Sequence, residues 1–279
     1  MLAFVSAVVI NLAYLREHEA ASALPALSLR HPLRSVRLLV GDRDWLFGFA
    51  MESVGFLIYV AALALAPLSL VQSISAGGIG VLAFASARLQ RRRLARVEIV
   101  GVLLSVLGLV ALAASLVGGK TTEGGGDIGP IVLWLGATAA VAVALVVVGR
   151  RHWGAAVAHG VAGGLFFSIG DISTKLVTQG GVRVGFVVLM LIGYFLGTAL
   201  LQIGYQAGGA LTVAGLATLV TNALPIAAGT VVLDEPVPSG WQGAIRLLAF
   251  AAVVTGAVLL ARLAPGRTRT PGSGQPAGA

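Results

Sequence analysis

The stretch that decides the fold is Leu65–Ala114, LAPLSLVQSISAGGIGVLAFASARLQRRRLARVEIVGVLLSVLGLVALAA. Ala66-Pro67 reads as a tight turn and opens an apolar run long enough to cross a bilayer. A short polar turn at Gln90-Arg-Arg-Arg93 follows, then a second apolar run closing on Gly108-Leu-Val-Ala-Leu-Ala113. The plan returns from Gly208, where Gly-Gly-Ala-Leu-Thr212 leads an apolar run to Leu233. A turn over Asp234–Gly240 and a last run ending Gly256-Ala-Val-Leu-Leu-Ala261 complete the echo. The copies share little residue identity, so the repeat is one of plan.

Composition agrees with membrane-length runs. Of 279 residues, 57% are hydrophobic and 11% charged, with a mean hydropathy of +0.95. Soluble domains carry roughly 25% charged residues, and a water-soluble core of this length has no room for so much apolar surface. The expected class is an all-α polytopic membrane protein, with the lipid bilayer as its first partner. The formal charge of +8 then speaks to membrane orientation and does not ask for nucleic acid. With no cysteine, disulfides and thiolate metal sites are excluded. No zinc-ligand cluster, nucleophile elbow or pair of catalytic carboxylates is present, so neither enzymatic catalysis nor a cofactor is expected.

About 20 apolar residues at ~1.5 Å rise cross the ~30 Å hydrocarbon core. Nine segments qualify: Met1–Leu15, Trp45–Ala66, Leu68–Ala87, Val97–Val117, Ile128–Val148, Ala155–Leu176, Val184–Gln206, Ala210–Leu233 and Trp241–Leu263. The first is short, so either Arg16 snorkels to a thinned membrane edge or the reading frame begins further upstream. A cleaved signal peptide is disfavoured, because no basic segment precedes the apolar run. Arg16–Asp44, with five Arg and two Pro, is too polar to span and is expected to hold an interfacial amphipathic helix around Leu33–Val40. Gly118–Gly129 reads as a flexible loop between halves, and Gly266–Ala279 as a disordered tail.

Nine spans put the termini on opposite faces, and the basic residues test that. Segments after spans 1, 3, 5, 7 and 9 hold 5, 5, 2, 0 and 3 Lys or Arg, fifteen in all, against three on the other face (Lys120, Lys175 and Arg183). The positive-inside rule then sets the N-terminus outside and the tail in the cytoplasm, with the protein multi-pass in the cell membrane. Residues 1–118 (spans 1–4) form one unit and 119–150 a loop with connecting span 5. Residues 151–263 (spans 6–9) form a second unit, followed by the tail at 264–279. Starting after an odd number of spans, the second unit enters from the opposite face. Two inverted four-helix halves can exchange shapes and open a path to each side in turn.

At these residues the chain resembles the drug/metabolite transporter superfamily with EamA-type repeats. Repeat one carries the likeness in Ala64-Leu-Ala-Pro-Leu-Ser-Leu-Val-Gln72 and in the span ending Gly108-Leu-Val-Ala-Leu112. Repeat two carries it in Ala210-Leu-Thr-Val-Ala214, Leu233-Asp-Glu-Pro236 and Gly256-Ala-Val-Leu-Leu260. Leu-Asp-Glu-Pro is similar to the Leu-Gly-Glu that closes the penultimate helix of a repeat in that family; repeat one has Gln90-Arg-Arg-Arg93 instead. The usual plan has five helices per repeat, whereas here the polar 16–44 segment replaces the second. That arrangement is more similar to the NIPA-like branch, whose members are associated with magnesium transport, and Glu52 in Met51-Glu-Ser53 sits where that branch has a similar residue. The resemblance implies a secondary transporter moving a small metabolite or cation by alternating access, with a NIPA-like divalent-cation transporter as the narrower form. A non-transporting scaffold or enzyme subunit is the alternative of another class, and a homo-oligomer is compatible with either.

Candidate site residues follow from polarity at depth, because an ionisable group inside a span costs ~2.5–3.5 kcal/mol on insertion scales. Glu52 lies about 10 Å into span 2 and Asp171 about 24 Å into span 6. Both suit cation or proton coupling, and both would be the metal ligands if a cation is carried. The structural alternative is a locally paired carboxylate; for Asp171 the partner would be Lys175 at i+4. Lys175 itself reads as an outer-edge anchor or a substrate ligand. Asn11 and Asn222 lie ~15 and ~18 Å along their spans, near the midplane where transporter sites sit. Thr218 and Thr221 flank Asn222, and Pro225 frees the carbonyl of Thr221. Interhelical hydrogen bonding is the competing role for these side chains. Gln72, Gln202, Tyr205 and Gln206 fall nearer span ends, where interhelical hydrogen bonding is the expected role, while packing is expected for His159. Gly160/Gly164, Gly193/Gly197 and Gly204/Gly208 are small-xxx-small pairs that let helices approach.

Overall fold

The computed structural model of the chain describes residues 1–66, 68–75, 78–89, 91, 93, 95–116, 126–233 and 240–262. Most of the expected loop at 118–129, the Asp234-Glu-Pro236 turn and the expected disordered tail lie outside those residues. Among the described residues every regular element is helical. In order these are α1 (Leu2–Ala23), α2 (Pro32–Val40), α3 (Arg43–Leu65), α4 (Leu68–Ser75), α5 (Gly78–Leu89), α6 (Arg96–Leu116) and α7 (Ile128–Ala144). α7 runs through a π-helical turn, Leu145–Gly149, into the one-turn α8 (Arg150–His152). Then come α9 (Ala155–Thr178), a 3-10 turn (Gly181–Phe186), α10 (Val187–Tyr205), α11 (Ala210–Val231) and α12 (Trp241–Arg262).

Five stretches among the described residues are long and apolar enough to cross a membrane: Arg43–Leu65, Ile128–Gly149, Ala155–Thr178, Gly181–Tyr205 and Ala210–Val231. The chain is an all-α, multi-pass membrane protein. Its helices divide by what they touch. The apolar window of α9 is 89% buried and that of α11 is 78%, against 22% for α7. Lipid cannot satisfy polar groups, so polar side chains collect on helices enclosed by protein. Accordingly α9 buries Ser168, Asp171, Thr174 and Lys175, and α11 buries Thr218 and Asn222, while α7 presents Val132, Leu133, Val141 and Val143 outward.

α9 packs against α10, α11 and α7; α11 also meets α4, α5 and α12; α1 lies along α3 and α5; α6 lies along α12. The close approach of α9 to α11 depends on Gly160 and Gly164. A Cβ would stand 2.8 Å from the Val213 carbonyl oxygen at the first and 2.7 Å from that of Ala217 at the second. Gly164→Ala is therefore expected to cost about 1–3 kcal/mol through overpacking, seen as a lower Tm of the purified protein in detergent. An unchanged Tm would mean that the two helices are not in contact there.

One expectation is corrected. The first apolar run does not end at Leu15: α1 continues for 22 residues to Ala23. Arg16 and Glu19 face outward on this last part while Glu17 and Ala20 are buried, so the polar Arg-Glu-His-Glu is a two-sided helix turn and not the start of a loop. The run expected as one span over Leu68–Ala87 is helical over Leu68–Ser75 and Gly78–Leu89, with 76–77 outside the described residues. The helix expected around Leu33–Val40 is present as α2, with Pro32 in its first turn, where no amide donor is needed. Asp42 then caps α3, its Oδ1 accepting from the Trp45 amide at 2.8 Å.

Candidate functional site

A cavity of about 360 Å³ lies among α1, α3, α4, α9, α10 and α11. Asn11, Glu52, Asp171, Thr218, Thr221 and Asn222 all line it, so residues from four helices far apart in sequence meet in one space. Lys175 is not among the lining residues. Aromatic rings from Tyr14, Phe49, Phe56, Phe167 and Tyr194 make much of the wall, giving an apolar chamber with a few convergent polar groups. Phe49, Leu57 and Leu191 line the chamber yet are 41%, 68% and 60% exposed, which places its mouth between α3 and α10.

The Asp171 end is a closed hydrogen-bond network. Tyr194 donates to Oδ1 at 2.7 Å and Gln72 Nε2 donates to Oδ2 at 2.8 Å. The same Gln72 nitrogen lies 2.7 Å from the Tyr59 hydroxyl, and Thr174 Oγ1 lies 3.1 Å from that of Tyr194. Lys175 takes no part: its Nζ donates to the carbonyls of Leu63 at 3.1 Å and Ala66 at 3.3 Å, at the C-terminal end of α3. The expected i+4 pairing of Asp171 with Lys175 is thus replaced by neutral donors to the acid and by carbonyl acceptors for the amine. Lys175 anchors α9 to the end of α3, where a cation also complements the helix dipole.

The two asparagines make matching bonds. Asn11 Nδ2 donates to the Ala7 carbonyl at 2.8 Å and Asn222 Nδ2 to the Thr218 carbonyl at 2.6 Å, each one turn back on its own helix. That leaves Asn11 Oδ1 and Asn222 Oδ1 buried without a partner, together with Thr218 Oγ1 and Glu52 Oε2. Thr221 Oγ1 is used, donating to Gly164 O at 3.1 Å. A buried polar atom without a partner costs about 1–3 kcal/mol, so unpartnered oxygens gathered at one cavity mark a place where something electropositive belongs.

One feature escaped the sequence reading. Glu17, beyond the expected end of the first span, is fully buried and its carboxyl lies within hydrogen-bonding reach of that of Glu52. The signal for it was helical spacing, since Glu17 falls three residues after Tyr14 on the face that meets α3. The glutamines bond between helices, as expected for their place near span ends, with Gln72 and Gln202 buried and Gln206 half-buried. Gln202 donates to Glu17. Gln206 Nε2 donates to the carbonyls of Ala21, Leu24 and Pro25 at 3.0, 3.1 and 3.2 Å, and its Oε1 accepts from the Leu27 amide at 2.8 Å. One turn of α10 thereby holds the end of α1. His159 Nδ1 lies 2.6 Å from the Ala155 carbonyl, one turn back on α9.

No protein-family model matches the chain. No solved structure matches it. Among curated proteins it is similar to a probable magnesium transporter, NIPA9, of Arabidopsis thaliana, with 24% identity over 276 residues covering 90% of this chain and 78% of that relative.

Proposed function

We propose that the chain is a secondary transporter of the drug/metabolite transporter type that carries a hard divalent cation of the magnesium class through the cavity between α1, α3, α9, α10 and α11. The observation that carries this reading is the cavity itself: Glu52 and Asp171 line it together with the unpartnered oxygens of Asn11, Thr218 and Asn222. Hard cations take oxygen ligands, and magnesium is commonly held by one or two carboxylates while keeping several waters. The similarity to a plant magnesium transporter supports the same substrate class.

Alternating access fits the way the helices pair. α1 lies along α3 as α9 lies along α10, and α6 meets α4 and α5 as α12 meets α11. The two sets then meet through α6 with α12 and α4 with α11. This is what an inverted pair of four-helix units, 1–118 and 151–263, would produce about an axis in the membrane plane. Nine crossings, an outside N-terminus and a cytoplasmic tail belong to the same proposal. A reporter active only in the cytoplasm should work when fused after Arg269 or within Arg91–Arg96, and stay silent at Gly125. Activity at Gly125 would sink the nine-span topology.

The aromatic walls and the mouth between α3 and α10 favour a second reading, an organic solute. Purified protein in liposomes separates the two. Uptake reported by a magnesium-sensitive dye inside the vesicles is the expected result. Dye silence with retained uptake of an organic solute would replace the cation reading.

A further inference from the structure

We propose that Glu17, Glu52 and Gln202 form a binding site for a hard divalent cation at the inner wall of the cavity. The inference rests on the cation reading and says where the ion is held. Glu17 and Gln202 are 0% and 1% exposed. Gln202 Nε2 donates to Glu17 Oε2, which leaves three buried oxygens without a partner: Glu17 Oε1, Glu52 Oε2 and Gln202 Oε1. The carboxyls of Glu17 and Glu52 lie within hydrogen-bonding reach of each other. Around an octahedral magnesium with ~2.0–2.1 Å bonds, adjacent ligand oxygens stand ~2.9 Å apart, so the same closeness suits a cation bridging the two carboxylates.

No described residue neutralises the pair. Among the described residues Tyr14 of α1 and Tyr205 of α10 face it, across the cavity stands Asp171, and no Lys or Arg forms an ion pair with either acid. Arg16, the neighbouring cation in sequence, instead lies over the Phe47 ring, 5.9 Å from its centroid. Two adjacent carboxylates in a low-dielectric interior repel strongly, and something positive must stand between them. A shared proton is the competing occupant. It would join one carboxyl to the other, whereas a metal ion draws on oxygens of both acids and on the amide oxygen of Gln202.

The backbone is shaped to bring the acids together. Gly48, Glu52 and Gly55 recur at i, i+4 and i+7 on α3, on one face. A Cβ at Gly48 would lie 2.8 Å from Glu17 Cγ, and one at Gly55 would lie 3.3 Å from the Ile10 amide nitrogen. The absence of a side chain at these positions lets α1 and α3 close around the acid pair. Glu52 lines the cavity and Glu17 does not, so an ion entering from the cavity reaches Glu52 first and Glu17 behind it.

The test is equilibrium binding of Mn²⁺, an oxygen-seeking probe of the same geometry, to the full chain purified in detergent, followed by electron paramagnetic resonance with Mg²⁺ as competitor. The wild type should bind Mn²⁺ and release it to Mg²⁺. Glu17→Gln should weaken binding about tenfold or more, since even outer-shell changes cost 10–100-fold in metal affinity. Glu17→Asp, which keeps the charge but retracts it, should give an intermediate loss. The Tm without metal serves as the folding control, and the rise in Tm on adding Mn²⁺ should be smaller in both variants. Binding in the wild type that is unchanged in both folded variants overturns this site, in favour of a shared proton, and leaves the cation reading standing. A wild type that neither binds Mn²⁺ nor takes up Mg²⁺ overturns both. If Glu17→Gln does not fold, the Glu17→Asp comparison decides alone.

Discussion

Uptake of Mg²⁺ by the Glu52→Gln variant in liposomes is expected to fall about tenfold or more, with folding intact. The substitution keeps the shape and removes the charge. Glu52 lines the cavity, and its Oε2 is buried without a partner, so the carboxylate is not already committed to a structural contact there. Losing one of the carboxylate ligands to a small hard ion should cost at least as much as the 10–100-fold seen for supporting residues. Folding should survive, because replacing one member of a buried acid pair by a neutral amide relieves repulsion. Uptake normalised to protein in the membrane is the measurement, with wild type and empty vesicles beside it. Full uptake in Glu52→Gln would remove this residue from the pathway and the cation reading with it. Under the organic-solute reading the ranking inverts, and changes at Asn11 and Asn222 should dominate.

Much of the fold was legible because the bilayer makes hydropathy a direct report on structure. An apolar run of sufficient length has few alternatives in lipid, so the expected segments at Trp45–Ala66, Ala155–Leu176 and Ala210–Leu233 coincide closely with α3, α9 and α11. The end of α1 was not legible for a physical reason. A hydropathy sum counts the four polar residues Arg16–Glu19 alike, whereas burial depends on azimuth around the helix, and Glu17 points inward while Arg16 and Glu19 point out.

The candidate site shows the same division. Depth along a span was enough to select Asn11, Glu52, Asp171 and Asn222, which do converge on one cavity. Depth alone understated how deeply two glutamines are enclosed. Gln72 and Gln202 stand near span ends by residue count, yet each is 1% exposed, because protein and not headgroup surrounds them. The i+4 spacing of Asp171 and Lys175 misled in another way: spacing allows contact, but the long lysine stem reaches α3 carbonyls that have no other donor once the helix ends.

That difference in partners leads to the second large expected effect, at Asp171. Asp171→Asn should also lower Mg²⁺ uptake about tenfold or more, and Lys175→Met should not restore it in the double variant. The hydrogen-bond pattern explains why the fold should tolerate the first change. The Gln72 amide nitrogen can only donate, so the new Asn oxygen must face it, and the Asn NH₂ then faces Tyr194. Tyr194 accepts from that group and turns its own proton to Thr174 Oγ1, 3.1 Å away, so no donor is orphaned. Asp171→Leu has no such solution; it strands Gln72 and Tyr194 and should lower stability by about 1–3 kcal/mol for each unmet group. Uptake and Tm measured together on Asp171→Asn, Asp171→Leu, Lys175→Met and the Asp171→Asn/Lys175→Met pair separate charge from structure. If Lys175 balanced Asp171, removing both would recover what removing one had lost. Recovery of uptake in the double variant would reinstate the ion pair and take Asp171 out of the cation path. With the lysine bound instead to the Leu63 and Ala66 carbonyls, its loss should add a separate stability cost and leave the uptake defect where it was.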